Sequence, residues 1–354
     1  MRVRDAVVVG VALAATLGLA ACGGQAAASG PTTVAVPSTV SAAELAKVTL
    51  NVGDQKGGGA EALLTAAGLA NTPYKIKWDD FTSGPPMLEA ANAGAIDIGQ
   101  VGNTPPVFSA ASNANIDVVG TLQGREGDGI LVPKNSTITT LAGLRGKTIA
   151  VGQGTSANGT LLNALNKAGL KPSDVKLAYL QPADAYSALA QGSVDAWAIW
   201  DPYLTEAVDN LGAKLLLSGT DAFSGSGLAG GTKLSNGRWF NVASRKALAD
   251  PGKNTAIADY LNRLGRAEIW ASQHIDQWAA IYAQETNIPL PVAQQALPKI
   301  IGLFTPLNDD VIASEQRLAD TFTAAGQIPG KIDFSKFSDT RYNSGLSSVF
   351  EGGK

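Results

Sequence analysis

The sequence predicts an α/β fold built as two similar lobes around a cleft, and three observations lead there. Short β-branched runs alternate with Ala- and Leu-rich stretches of helical spacing, the pattern of largely parallel sheets covered by helices. Two motifs recur in the same order. Leu50-Asn51-Val52-Gly53 returns as Ile149-Ala150-Val151-Gly152, and Gly94-Ala95-Ile96-Asp97 as Gly192-Ser193-Val194-Asp195, at offsets of 99 and 98 residues. Beyond Asn254 the chain turns almost wholly helical, and Ile257, Leu261, Leu264 and Ile269 make an apolar face that must pack on something. The economical solution returns the chain to the first lobe. Two segments then cross between lobes, near Val118–Val132 and Gly231–Val242, and form a hinge.

At the N-terminus, residues 1–21 read as an export signal. Arg2 and Arg4 give a positive start that Asp5 dilutes, and Ala6 to Leu19 form an apolar run too short to span a bilayer comfortably. The run ends in Leu19-Ala20-Ala21-Cys22, which resembles the lipobox of bacterial lipoproteins; a chance cysteine in an Ala-rich signal is the alternative. Cys22 is the single cysteine of the 354 residues. Two acyl chains there, at about 0.8 kcal/mol per buried CH2, hold a protein at a membrane surface durably. Residues 22–46 follow as a tether, and Gly23 to Ser41 carry no charge, a composition suited to a flexible or extended segment. The chain has 27 basic and 30 acidic residues; losing Arg2, Arg4 and Asp5 leaves 25 and 29, a net charge of −4 that offers nothing to nucleic acid.

The expected strands are Val48–Val52, Lys75–Trp78, Ile96–Gln100, Asp117–Gly120 and Gly129–Val132. A second series runs Thr148–Val151, Lys176–Tyr179, Val194–Ile199, Lys214–Leu217 and Trp239–Ala243. Late helices are expected over Asn254–Ser272, around Trp278, over Pro291–Ile301 and over Asp309–Ala325. Lobe I then comprises residues 47–130 and 238–354, and lobe II residues 131–237.

The catalytic inventory is sparse. With His274 as its one histidine and Cys22 committed to the anchor, the chain has little from which to build a Ser-His-Asp triad, a Cys-His pair or a multi-His zinc site. There is no Gly-x-Ser-x-Gly elbow and no Gly-x-x-x-x-Gly-Lys phosphate loop. His274 sits in a helical pattern and reads as structural. Carboxylate-only chemistry stays open, and no catalytic residue, metal ligand or cofactor is singled out.

In open parallel sheets ligands gather beyond the carboxyl ends of the strands, where helix N-termini point. Gly152-Gln153-Gly154-Thr155-Ser156-Ala157 joins a strand to a helix and offers backbone N–H groups and two hydroxyls. A helix N-terminus carries about half a positive charge, so an anion is favoured there without lysine or arginine. Thr155 or Ser156 acting only as an N-cap is the plainer reading, and a cap can also bind. Asn103-Thr104-Pro105-Pro106 opens another helix after a strand. Gln55-Lys56-Gly57-Gly58-Gly59 is the corresponding loop after the first strand, where glycines permit close approach to a ligand; turn chemistry alone is the alternative for both. Asp195 through Tyr203 places Trp200 and Asp201 at a strand end. Alternation sets Trp197 and Ile199 on one face and Trp200 on the other, where it can wall an apolar ligand tail or pack in the core. Trp239, on the return crossing, is a candidate of the same kind. The expected ligand-binding residues are therefore Gln55, Lys56, Asn103, Thr104, Gly154, Thr155, Ser156, Trp200, Asp201 and Trp239.

At these residues the sequence resembles the aliphatic-sulfonate-binding proteins of bacterial ABC importers, relatives of the taurine- and nitrate-binding proteins. The matching segments are Gln55-Lys56-Gly57, Gly84 to Ala90, Gly94 to Gly99, Pro105-Pro106, Gln181 to Ala185 and, most specifically, Asp195-Ala196-Trp197-Ala198-Ile199-Trp200-Asp201-Pro202-Tyr203. The resemblance implies the two-lobed type II periplasmic (solute) binding protein fold and a small organic anion, a sulfonate, as ligand. It implies an ABC permease and its ATPase as partners, and no catalysis. With Cys22 it implies a lipid-anchored monomer on the extracytoplasmic face of the cell membrane. Asn103 stands where some sulfonate binders have an acid, Thr155 to Asn158 departs from a more Ser-rich run, and Gln123 to Asp128 has no counterpart. Nitrate, taurine or a thiamine precursor is the alternative ligand. A lipoprotein sensor domain is the alternative role, and the pyrimidine-synthesising enzymes of this fold use their own histidine and a cysteine-rich iron site, which one histidine and one lipobox cysteine cannot supply. The lipobox reading predicts that Cys22→Ser releases the protein from membranes into the soluble fraction with its fold unchanged; unaltered partitioning in a membrane fractionation would contradict it.

Overall fold

Eleven strands, β1 (Thr49–Gln55), β2 (Lys75–Phe81), β3 (Ile98–Gly102), β4 (Ile116–Gln123), β5 (Asp128–Val132), β6 (Thr148–Val151), β7 (Lys176–Tyr179), β8 (Ala196–Trp200), β9 (Lys214–Ser218), β10 (Arg238–Ser244) and β11 (Leu303–Thr305), divide between two sheets among the described residues. The computed structural model describes residues 34–55, 59–125, 127–223 and 237–350. The export signal, Cys22 and Lys56 lie outside them. The first sheet has the order β11-β4-β10-β3-β1-β2 and the second β7-β6-β8-β5-β9.

The two orders match strand for strand once β11 is set aside, which gives the internal echo a structural meaning. In each sheet a parallel trio comes first: β2-β1-β3, with Thr49 beside Lys75 and Val52 beside Ile98, and β7-β6-β8, with Thr148 beside Lys176 and Ile149 beside Ala196. An antiparallel strand follows, β10 on β3 and β5 on β8. The sheets are thus mixed where the sequence suggested largely parallel ones. β5 and β10 are the strands on which the chain arrives from the other sheet, so they enter from the opposite end. β11 escaped notice because three residues show no period.

The repeated Gly-x-x-Asp motif does the same work twice. Gly94 and Gly192 both take φ +71° just after helices Gly84–Asn92 and Pro182–Ala190, a left-handed conformation that favours glycine. Three residues later, Asp97 Oδ2 accepts from the Asn51 amide and Asp195 Oδ2 from the Thr148 amide, each at 2.8 Å. Each aspartate stitches two parallel strands together just before its own strand begins. The surroundings differ: the Asp97 side chain is buried and takes Lys253 Nζ at 2.7 Å, whereas Asp195 is 41% exposed with Lys147 at 3.8 Å.

The helices are α1 (Ala42–Leu45), α2 (Ala60–Ala66), α3 (Gly84–Asn92), α4 (Thr104–Ala111), α5 (Ser156–Lys167), α6 (Pro182–Ala190), α7 (Tyr203–Leu211), α8 (Gly219–Phe223), α9 (Arg245–Ala249), α10 (Pro251–Gln273), α11 (Ile275–Thr286), α12 (Leu290–Ile300) and α13 (Asp309–Ala324). The long α10 starts where Asp250 accepts from the Lys253 amide and Pro251 occupies the first turn. It buries Ile257, Leu261 and Leu264 against the first sheet's Leu50, Val52 and Ile98. α13 instead lies between α4 and α5: Phe322 meets Phe108 edge-on at 5.0 Å, and Leu318 and Phe322 reach the backbone at Gly159. Residues 34–46, expected to belong to the tether, dock on the fold. Arg341 donates to the Val34 carbonyl at 2.7 Å, the Val40 amide to Thr255 at 3.3 Å, and Ser41 with Glu44 forms a capping box.

Asp97 is itself buried and serves the half-buried Lys253 and the Asn51 amide, so Asp97→Ala should cost about 1.5–3 kcal/mol. Asp195→Ala, in an exposed pair, should cost about 1 kcal/mol. Urea unfolding of the two variants tests this ordering, and equal losses would contradict it.

Candidate functional site

A narrow cavity sits where the two sheets' strand ends face each other, lined by Gln55, Gly84, Gly102, Pro105, Thr155, Ser156, Trp200 and Trp239. Gln55 ends β1, Gly102 ends β3 and Trp200 ends β8, so the cavity lies beyond carboxyl ends. Trp239 reaches the same place from the start of β10, because that strand runs antiparallel to β3 and pairs Trp239 with Gly102. Gly102 is needed for closeness: a Cβ there would come within 2.9 Å of Ser156 Cβ at the opening of α5. Gly159 is constrained likewise, its absent Cβ standing 2.6 Å from Thr104 Oγ1 of α4.

The hydroxyls at the start of α5 already spend their protons within the protein. Thr155 Oγ1 donates to the Gly152 carbonyl at 2.7 Å, Ser156 Oγ to Asp128 Oδ1 at 3.0 Å, and Thr160 Oγ1 to Asp128 Oδ2 at 3.1 Å. The amides of Asn158 and Gly159 turn back to the Thr155 carbonyl. Among the described residues this leaves the first two amides of the twelve-residue helix, Ser156 and Ala157, without a protein acceptor. Asp128 therefore fixes which donors the helix end presents. It was not singled out in the sequence, where an acid opening a strand looks ordinary; only the register that sets Asp128 opposite Trp200 brings it here.

Among the described residues, two polar atoms in the cavity wall are buried without a partner. Trp200 is 6% exposed and its indole Nε1 has no acceptor, and Gln55 is 8% exposed and its Oε1 has no donor. Buried polar groups are nearly always satisfied, so these two mark atoms that something else completes. Trp200 thus brings a donor to the cavity and is more than an apolar wall, while its ring meets Tyr203 edge-on at 6.1 Å.

Of the residues expected to bind, the structure gathers Gln55, Thr155, Ser156, Trp200 and Trp239 around one space and leaves four others off its lining. Gly154, at φ +69°, packs on Phe108 and donates its amide to Asn158 Oδ1. Thr104 donates to Asn103 Oδ1 at 3.1 Å, and both side chains are buried against the α5 side. Asp201 accepts from the amide and hydroxyl of Thr205 at 2.9 and 2.6 Å and faces Lys299 Nζ at 3.5 Å. Burial pushes its carboxyl up while Lys299 and Thr205 pull it down. It serves α7 and the contact with α12.

Two further spaces adjoin. Behind Trp239 lies a small cavity lined by Asp54, Gln100, Glu268, Trp278 and Tyr282 with apolar side chains. Burial pushes Glu268 up to about 8, partly offset by the Gly302 amide, and raises Asp54 against the amides of Glu61, Ala60 and Gln55. A wider cleft opens past Gln55 and is lined by Asp54, Glu61, Asp80, Gln181 and Glu285 among others; Thr82 and Ser83 reach across to Gln181 Oε1 at 3.2 and 3.4 Å.

A protein family model described as NMT1/THI5 like matches residues 84–215. The chain is 36% identical over 297 residues to a protein of Escherichia coli K12 named as an aliphatic sulfonates-binding protein, covering 82% of this chain and 89% of that one. The chain belongs to the aliphatic-sulfonate-binding protein family. Among solved structures, the alkanesulfonate-binding protein SsuA from Xanthomonas axonopodis pv. citri, bound to MOPS, superposes with a TM-score of 0.72 at 32% identity, over 82% of this chain and 98% of that one. The periplasmic aliphatic sulphonate binding protein SsuA from Escherichia coli gives 0.69 at 34% identity, over 82% and 91%. The two-lobed binding-protein fold expected for the family is the fold of this chain. Within it, Gly84 to Ala90, Gln181 to Ala185 and Asp195 to Tyr203, on which the resemblance was read, all fall inside the matched family segment.

Proposed function

We propose that this family member is the extracytoplasmic solute receptor of an ABC importer, and that the cavity between Gln55, Ser156, Trp200 and Trp239 holds the sulfonate end of an aliphatic sulfonate. The observation that carries the reading is the unpartnered indole N–H of Trp200 beside the two unclaimed amides of α5. A sulfonate is ionised at every physiological pH and presents only acceptors, so it needs donors and a positive potential, which the helix end supplies. No lysine or arginine lines the cavity among the described residues, as recognition of a phosphate monoester would favour. Trp239 and the aromatic side chains behind it suit the ligand's carbon chain. On this reading residues 47–130 with 238–354, and residues 131–237, close on the ligand as two lobes. Lipidated Cys22 keeps the monomer at the outer face of the membrane for delivery to the permease and its ATPase. The names of the relatives support the same assignment.

Calorimetric titration of the mature chain with methanesulfonate, longer alkanesulfonates, sulfate, nitrate and phosphate tests it, with a sulfonate expected to bind most tightly. Trp200→Phe keeps an aromatic side chain but removes the indole N–H, a hydrogen bond to a charged group worth about 1.5–3 kcal/mol, so it should weaken binding roughly tenfold to hundredfold. Ser156→Ala should weaken it less, since that hydroxyl already donates to Asp128. Absence of sulfonate binding, or full affinity in a folded Trp200→Phe, would overturn the assignment.

A further inference from the structure

We infer that the acidic cleft beyond Gln55 is a charge filter, by which the receptor takes sulfonates with a single negative charge and rejects those carrying a second anionic group, such as a carboxylate, at the far end. The inference rests on the sulfonate reading given above and concerns the part of the solute outside the anion cavity.

The anion cavity is narrow and the space behind Trp239 is small, so whatever a solute carries beyond its first carbons has to extend another way. Gln55 borders both the anion cavity and the cleft, whose volume is about 910 Å³. The far end of a longer solute has room there.

The walls of the cleft carry four carboxylates. Asp54 comes from the end of β1, Asp80 from the end of β2, Glu61 from the first turn of α2 and Glu285 from the last turn of α11. Among the described residues that line the cleft there is no lysine or arginine. The four acids sense one another: burial first, and then Asp54, Asp80 and Glu285, push the Glu61 carboxyl up. The amides of Gln55 and Glu61, at 2.9 and 3.2 Å, fix the Asp54 carboxylate in place. A cleft lined by charge of one sign focuses its field on whatever enters, so an arriving carboxylate is repelled and a neutral group is not.

Gln55 gives an independent sign of what the cleft accepts. It is 8% exposed, and its Oε1 is buried without a donor among the described residues. That oxygen is completed by a group with a hydrogen to give, and an ionised carboxylate has none. Charge and hydrogen bonding thus reject the same end group.

The test is calorimetry of the mature chain with 3-sulfopropanoate and its neutral amide, 3-sulfopropanamide, which differ in charge but little in size. Methanesulfonate serves as the ligand too short to reach the cleft. In about 0.01 M salt, where the screening length is about 30 Å, the amide should bind roughly tenfold tighter than the carboxylate; in about 1 M salt, where it is about 3 Å, the gap should shrink to about threefold or less. Asp80→Asn combined with Glu285→Gln, both at exposed positions, should cut the low-salt ratio by about threefold or more. Should that variant fail to fold, the salt dependence of the wild type decides. Equal affinity for the amide and the carboxylate in low salt, or a preference that either salt or the folded double variant leaves unmoved, overturns this inference alone. Binding of methanesulfonate with neither longer ligand does the same, because the cleft then does not take the far end. If methanesulfonate does not bind either, the sulfonate reading fails and this inference with it.

Discussion

The two hydrogen bonds that Asp128 accepts, from Ser156 and Thr160, are the contact on which the site depends. They tie the first residue of β5, the strand on which the chain enters the second sheet, to the first turn of α5. Because the carboxylate takes the hydroxyl protons, the helix end offers backbone amides to whatever lies beyond it. Amides are held by the helix itself and need no reorganisation, so an anion placed there would meet donors already in position. The register that sets Asp128 opposite Trp200 also brings the indole N–H to the same cavity. One strand pairing therefore positions the acid that orders the hydroxyls and the ring that completes the donor set.

Much of the fold was legible because its signals are local and repeated. Ten strand cores lie where β-branched runs predicted them, and the echo of Gly94-Ala95-Ile96-Asp97 in Gly192-Ser193-Val194-Asp195 reflects a shared device: a left-handed glycine closes a helix and an aspartate then grips the neighbouring strand. Strand direction was less legible. Nothing within Gly129–Val132 or Trp239–Ala243 records that the chain has just crossed from another sheet, and it is the crossing that makes those strands antiparallel.

The site was half legible for a related reason. Gln55, Thr155, Ser156, Trp200 and Trp239 converge on one candidate cavity because strand ends and helix starts are marked in the sequence, and the fold brings such ends together. Which atom each contributes is decided by contacts distant in sequence. Thr155 and Ser156 looked like hydroxyl donors until Gly152 and Asp128 were seen to accept from them, and Asp201 looked like a ligand group until Thr205 and Lys299 were seen to use it. Trp200 reads as an apolar wall in the sequence, whereas its Nε1 is buried with no acceptor among the described residues.

The electrostatic character of the surroundings sharpens this picture. Among the described residues, carboxylates and no lysine or arginine line the inner cavity and the cleft beyond Gln55. The account's central claim is that an anion accepts from the Trp200 indole beside the α5 amides. Nitrogen–proton correlation spectra test it most directly, since the chain's six tryptophans give six indole signals and Trp200→Phe identifies one of them. On titration with methanesulfonate that signal should move downfield as the new hydrogen bond forms. If calorimetry reports binding while the Trp200 signal stays in place, the anion sits elsewhere and the account is contradicted.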